Sequence, residues 1–260
     1  MCDKSRGMAN RDEIIAFCDE TLDITSFTDY GPNGLQVPGS ADVTKVATCV
    51  SAHLESIEAA VAAGAQLLIA HHGLFWDFHP RSLSDPMAKR LREALAADLS
   101  VAGYHLPLDA HPEIGNNALL AEALGFEATG DDFSVVGGAT IGVIGHRANG
   151  ITATGLFDAI RLEIAPEPLV FDAGPDVVSS IGISSGAAAS SIHEAVKLGL
   201  DAFLTGEPAE HAMADAQEGG IHFIAAGHYA TETFGVRRLG DLVAERFALT
   251  HEFIDVPNPI

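Results

Sequence analysis

Between Lys45 and Ala70 the chain reads as strand, helix and strand: "KVATCVSA", then "LESIEAAVAAG" ending at Gly64, then "AQLLIA". Short apolar runs joined by an amphipathic segment make a β-α-β unit, the building block of α/β folds. The alternation continues with a helix ("DPMAKRLREALAAD"), a strand ("LSVAGYH"), a loop ("LPLDAHPEIG") and a helix ("NNALLAEALG"). Upstream, "NRDEIIAFCDETL" is a helix capped by Asn10, with Ile14, Ile15, Phe17, Cys18 and Leu22 on one face, and "DYGPNGLQVPG" is a turn-rich loop. Residues 126–180 read as a β-rich connection with one helix near "ATGLFDAIRLEI".

The last third repeats the first. "SIEAAVAAGAQLLIAHH" (Ser56–His72) aligns without gaps on "SIHEAVKLGLDAFLTGE" (Ser191–Glu207), and "VAGYHLPLD" aligns on "IAAGHYATE" with His105 set on His228. Chance likeness of Ala- and Gly-rich units is the alternative, but the polar strand ends coincide as well. Two similar α/β lobes are therefore expected, an internal duplication with lobes near 1–125 and 126–260. C-terminal segments can close the first lobe, so the lobes can interleave.

Composition narrows the function classes. The chain carries 14 basic and 36 acidic residues, a formal charge of −22. That field repels phosphate backbones, so nucleic acid is not an expected partner. The lysine-poor, acidic balance resembles proteins that work in concentrated salt; an acidic protein of ordinary salt is the alternative. No apolar run is long enough to span a bilayer, and the charged N-terminus lacks a signal-peptide core, so a cytoplasmic protein without membrane contact is expected. Cys2, Cys18 and Cys49 are odd in number and lack C-x-x-C spacing, which argues against a disulfide framework or a zinc knuckle.

Strand ends of α/β sheets are where ligands gather. Four such ends carry polar groups: His71/His72, His105/Asp109, Glu207, and His228/Glu232. His228 and Glu232 open what reads as one long helix ("HYATETFGVRRLGDLVAERFA"), and their spacing of four puts both on one face. Asp109 lies between Pro107 and Pro112, which restrict its backbone. Adjacent residues of a strand point to opposite faces, so His71 and His72 suit two metal ions, one imidazole each, with carboxylates between. A single ion held by one histidine and oriented by the other is the alternative. Imidazole and carboxylate donors suit Zn, Fe, Mn or Ni.

The motifs "AHHGLFW", "GYHLPLDAHPEIGNN", "DAFLTGEPAEH", "AAGHYATETFGVRRL" and "FIDVPNPI" run in order along almost the whole chain. On them the chain resembles the Nif-three-like dinuclear metal-centre proteins, also called GTP cyclohydrolase type-I, type-2 homologues. The resemblance implies a two-lobed protomer in a toroidal homo-hexamer, with two divalent metal ions in a cleft between the lobes. By motif, the implied ligands are His71, His72, Asp109, His228 and Glu232. The chain is too short between the lobes for the inserted domain of longer members, and it has His228-Tyr229 where many relatives have two histidines. His105 and Glu207, singled out by the internal repeat, are expected in the pocket or behind the ligands, where they could move protons. The resulting expectation is a metal-dependent hydrolase of a nucleotide, GTP cyclohydrolase-like. Its alternative is a non-catalytic, ring-shaped metal-binding regulatory or carrier protein.

Other segments carry weaker signals. "GVIGHRANG" lacks the spacing of a dinucleotide fingerprint. "ISSGAAASS" is either an anion cradle or a tight strand–helix turn. Phe75 and Trp76 form a wall for a base, or belong to the core or a subunit contact. His79, His111, His146, His193, His211, His222 and His251 read as surface or packing residues.

Overall fold

The structure is a computed structural model that describes residues 7–260; Cys2 and the charged residues around it lie outside the described residues. Contacts divide the chain into two compact units, one ending at Leu108 and completed by Gly235–Val256, the other formed by Asp109–Phe234 with Pro257–Ile260.

The first unit is built on a five-stranded sheet. Its edge-to-edge order is Thr250–Phe253, Lys45–Ser51, Leu67–His72, Ser100–Gly103 and Gly34–Val37, with the last strand antiparallel and the others parallel. The apolar runs of the sequence become strands covered on both faces, as parallel sheets require. Ile57 and Ala60 of the helix Leu54–Ala62 pack with Leu68 and Val101 in its core. That helix stops because Gly64 takes φ +72, a left-handed conformation that glycine adopts without a side-chain clash. Asn10 caps the helix Arg11–Thr21 by accepting the Asp12 N–H at 2.8 Å, which turns Ile14, Ile15 and Cys18 inward. The loop read at residues 29–39 contributes the strand Gly34–Val37, a short run in which glycine and glutamine mask the period.

The second unit holds a six-stranded mixed sheet. From edge to edge it runs Leu169–Phe171, His222–Ala225, Ala202–Thr205, Val177–Ser184, Val143–Thr152 and Glu127–Ala128, with parallel pairing only among the three strands from His222–Ala225 to Val177–Ser184. Neighbouring residues face opposite cores: Leu204 packs with Leu156, Ile160 and Ile181, whereas Phe203 packs with Ile192, Ala216 and Phe223.

Each unit thus contains strand, helix, strand, helix and strand in succession, with an earlier strand pairing antiparallel to the third. His71 and His72 end the second strand of one succession, and Gly206 and Glu207 follow the second strand of the other. The boundary read near residue 125 falls instead after Leu108, because Leu120, Ala121 and Leu124 of the helix Asn116–Ala123 and its end belong to the second unit's core. The helix Thr233–Phe247 and the strand Thr250–Phe253 return to the first unit. Among the described residues no helix is long and apolar enough to cross a membrane.

Candidate metal centre

His71 and His72 sit where the central strand of the first unit loses one neighbour. Pairing toward Ser100–Gly103 ends at Ala70, whereas pairing toward Lys45–Ser51 continues to His72. Strict alternation predicts imidazoles on opposite faces, and the structure corrects that expectation: their ring centroids are 4.7 Å apart. The strand end is held by a ladder on one side only. Both rings approach His105, with centroids 5.2 and 5.6 Å away, and donor nitrogens of the three lie within 4.8 Å of one another.

The partners of these imidazoles set their proton positions. Nδ1 of the fully buried His71 lies 3.0 Å from the Tyr104 carbonyl oxygen. A carbonyl only accepts, so Nδ1 carries a proton and Nε2 is the nitrogen left to face the other imidazoles. His72 Nδ1 meets Ser51 Oγ at 3.0 Å. His105 Nδ1 donates to Asp29 Oδ1 at 2.7 Å, and its backbone N–H donates to Asn33 Oδ1 at 2.8 Å. Burial works against the ionised Asp29, but the bond and charge of His105, with the Asn33 amide and the Tyr30 N–H, hold its carboxyl below the usual range.

In the second unit, Asp109 stands on a helical turn, Leu106–Ala110, inside the segment read as a loop. It is buried, and its Oδ1 accepts from Asn116 Nδ2 at 2.8 Å and from Ser185 Oγ at 3.0 Å. Two donors on one oxygen fix the plane of the carboxylate.

His228 follows Gly227, whose φ of 92 swings the chain off the strand His222–Ala225. His228 Nδ1 donates to Glu207 Oε1 at 2.6 Å, and Nε2 lies 3.1 Å from Glu232 Oε2. Burial disfavours the imidazolium, but Glu232 and then Glu207 outweigh it and lift the His228 pKa to about 9. An ion bound at Nε2 must therefore displace a proton.

The long helix read from His228 is interrupted. It forms His228–Thr231 and Thr233–Phe247, with Glu232 at φ −112 and ψ 8 between them. Glu232 is 2% exposed and packs against Gly186, where an added Cβ would overlap its Oε1 and come within 3.2 Å of His228 Nε2.

Gly186 belongs to "ISSGAAASS", and there the structure favours the turn. The N–H groups of Ser185, Gly186 and Ala188 donate to Asn117 Oδ1, Thr231 Oγ1 and Thr205 Oγ1, so they serve the fold rather than an anion. The Gly186 carbonyl in turn accepts the N–H groups of Gly206 and Glu207, both at 2.9 Å. One turn thereby holds Asp109 through Ser185 and also sits against Glu232.

Several of these supports were not singled out from sequence. Asp29, Ser51, the Tyr104 carbonyl, Asn116, Ser185 and Gly186 act on residues up to 76 positions away. The Asn116-Asn117 pair, fully buried at the start of a helix whose other residues except Glu122 are apolar, was the clearest missed signal. Of the histidines read as surface or packing residues, His222 lies between the Pro175 carbonyl and Asp172, and His251 between Thr48 and Asp241.

Within each unit, taken by itself, the imidazoles and carboxylates fit a divalent ion in donor type. Trp76 stands edge-on to His105 with centroids 5.1 Å apart, and it also lines a cavity of about 530 Å³ with Arg81, Met87 and Arg90.

Known proteins of the same kind span nearly the full chain. The family model described as Duf34/NIF3 (NGG1p interacting factor 3) matches residues 9–259. A GTP cyclohydrolase 1 type 2 homolog of Pseudomonas aeruginosa is 41% identical over 246 residues, covering 95% of this chain and 97% of the relative. The solved structure of protein ybgI, of unknown function, is 38% identical with a TM-score of 0.91, covering 96% of this chain and all of that one. TTHA1606 from Thermus thermophilus is 33% identical with a TM-score of 0.86, over 96% of this chain and 100% of that chain.

Proposed function

The chain belongs to the Duf34/NIF3 family, and from that membership and the geometry of its histidines we propose a metal-dependent hydrolase of a nucleotide. Ring-opening of the GTP purine at its imidazole carbon is the first reaction to test, since the curated relatives bear the name GTP cyclohydrolase 1 type 2 homolog. His71, His72, Asp109, His228 and Glu232 would together hold two divalent ions of the Zn, Fe, Mn or Ni class. When bound, such ions acidify water and stabilise charge that develops on the attacked group.

The remaining chemistry falls to the chain. With Nδ1 donating to Asp29, His105 presents Nε2 for proton exchange, and Asp29 keeps the ring in that tautomer. Glu207 orients His228 from behind. Trp76, whose ring stacks on Phe78 with centroids 5.7 Å apart, gives the cavity an aromatic wall, and Arg81 and Arg90 supply guanidinium groups suited to phosphate. Three imidazoles with donors within 4.8 Å of one another, sharing Trp76 with that cavity, carry this reading.

The deciding experiment loads the metal-stripped protein with each ion and screens nucleotides, identifying products by mass. A hydrated or ring-opened product that disappears in His105→Asn supports the hydrolase. Full metal loading without turnover of any nucleotide would favour the non-catalytic metal-binding protein. We also propose a closed homo-hexamer kept together in concentrated salt, where the Debye length falls to about 3 Å at 1 M and the charge of −22 is screened. Sedimentation in molar KCl tests it, and a monomer at micromolar concentrations would exclude it.

A further inference from the structure

Away from those residues, the second unit gathers two histidines read from sequence as surface or packing residues. His193 lies in the first turn of the helix Ile192–Leu198; His211 precedes the helix Ala212–Gly219, and Asp215 stands one turn further on. Ile192, Ala195, Ala212 and Ala216 of these helices share one buried core, which fixes the two backbones that carry the cluster. The imidazoles stack with centroids 5.5 Å apart and planes within 16°. Asp215 Oδ2 lies 2.6 Å from His211 Nδ1 and 3.7 Å from His193 Nε2.

We propose that His193, His211 and Asp215 form a surface site for a divalent transition-metal ion such as Zn²⁺, sharing no ligand with the five residues assigned above. The three residues offer ligand atoms within 4.8 Å of one another. Zn–N and Zn–O bonds of about 2.0–2.2 Å set tetrahedral donors roughly 3.3 Å apart. The 2.6 Å contact must lengthen and the 3.7 Å contact shorten, each by under about 1 Å, which side-chain rotation supplies without moving a helix. Without an ion, His211 Nδ1 donates its proton to the carboxylate. With the ion on Nδ1, the neutral ring carries its proton on Nε2. The His193 and His211 side chains are 64% and 43% exposed, so the remaining coordination positions face solvent and the ion exchanges readily.

Acidic surfaces collect cations without a site, so the test holds hard cations in excess. Zinc content after equilibrium dialysis against Zn²⁺ in molar KCl with excess Mg²⁺ is compared for wild type, His193→Gln, Asp215→Asn and His146→Gln, a control at an exposed histidine of the same unit. His193→Gln and Asp215→Asn should each hold one zinc fewer per chain than wild type, or bind that zinc more than about tenfold more weakly. His146→Gln should match wild type. Because the readout is a difference, it is independent of how many ions the other ligands hold. In wild type, Zn²⁺ should also protect His193 and His211 from diethyl pyrocarbonate, as mapped on peptides. Equal zinc in all four proteins, or modification of both histidines at the same rate with and without Zn²⁺, would reduce the cluster to a histidine–aspartate hydrogen bond with a stacked neighbour.

Discussion

Replacing Gly186 with alanine perturbs the proposed centre without removing any of its proposed ligands. Gly186 has φ +63, where an alanine costs about 1–2 kcal/mol. Its new methyl would also overlap Glu232 Oε1, and Glu232 is 2% exposed, with little room to retreat. Moving that carboxylate breaks its 3.1 Å pairing with His228, a charged contact worth about 1.5–3 kcal/mol. Gly64 provides the control, since it has φ +72 and nothing within 4 Å of an added Cβ. Gly64→Ala should therefore show only the backbone cost, a fall in Tm of roughly 2–8 °C. Gly186→Ala should fall further and lose on the order of tenfold to a hundredfold in metal affinity. Thermal unfolding of the metal-stripped proteins and a chelator-competition titration read the two effects. If Gly186→Ala matches Gly64→Ala in both, the turn does not position Glu232 and the reasoning is refuted.

Glu207→Gln removes the negative charge behind His228 while leaving an acceptor oxygen; it should lower the His228 pKa from about 9 in the metal-stripped protein, as followed by NMR, and weaken metal binding on the order of tenfold. Asp29 is depressed in the folded protein, so its contribution to stability is present above its ordinary value of 3.8 and is lost as pH falls through the lower folded value. The stability gap between wild type and Asp29→Asn in urea titrations should therefore be full at neutral pH and close in acid; a gap independent of pH would contradict the ion pair with His105. Burial pushes the Cys18 and Cys49 thiols up to about 12, so peptide mapping should find both unmodified by iodoacetamide at pH 8 until urea unfolds the chain.

The alternation of apolar runs and helices exposed the parallel strands and their crossing helices, because these depend on local periodicity. The strand-end position of His71 and His72 followed from the same pattern. Their mutual orientation did not, since the 4.7 Å approach of the two rings is set by side-chain placement that alternation along a strand does not describe. The interruption at Glu232 was hidden because residues 228–247 keep a helical period across it, while packing against Gly186 is a tertiary fact. Asp29, Asn116 and Ser185 reach their partners only after folding, so no local spacing announces them. The His193–Asp215 cluster was passed over although His211 and Asp215 have the same His-x-x-x-carboxylate spacing as His228 and Glu232, because His193 joins them from a separate helix.

The claim that two ions share one centre is met most directly by electron paramagnetic resonance of the protein titrated with Mn²⁺. Two ions held by common carboxylates lie about 3.5–4 Å apart, close enough for their spins to couple. An exchange-coupled spectrum should therefore grow in at the second equivalent in wild type and be absent in Glu232→Gln. Signals of isolated Mn²⁺ alone at every loading of the wild-type protein would contradict the dinuclear centre.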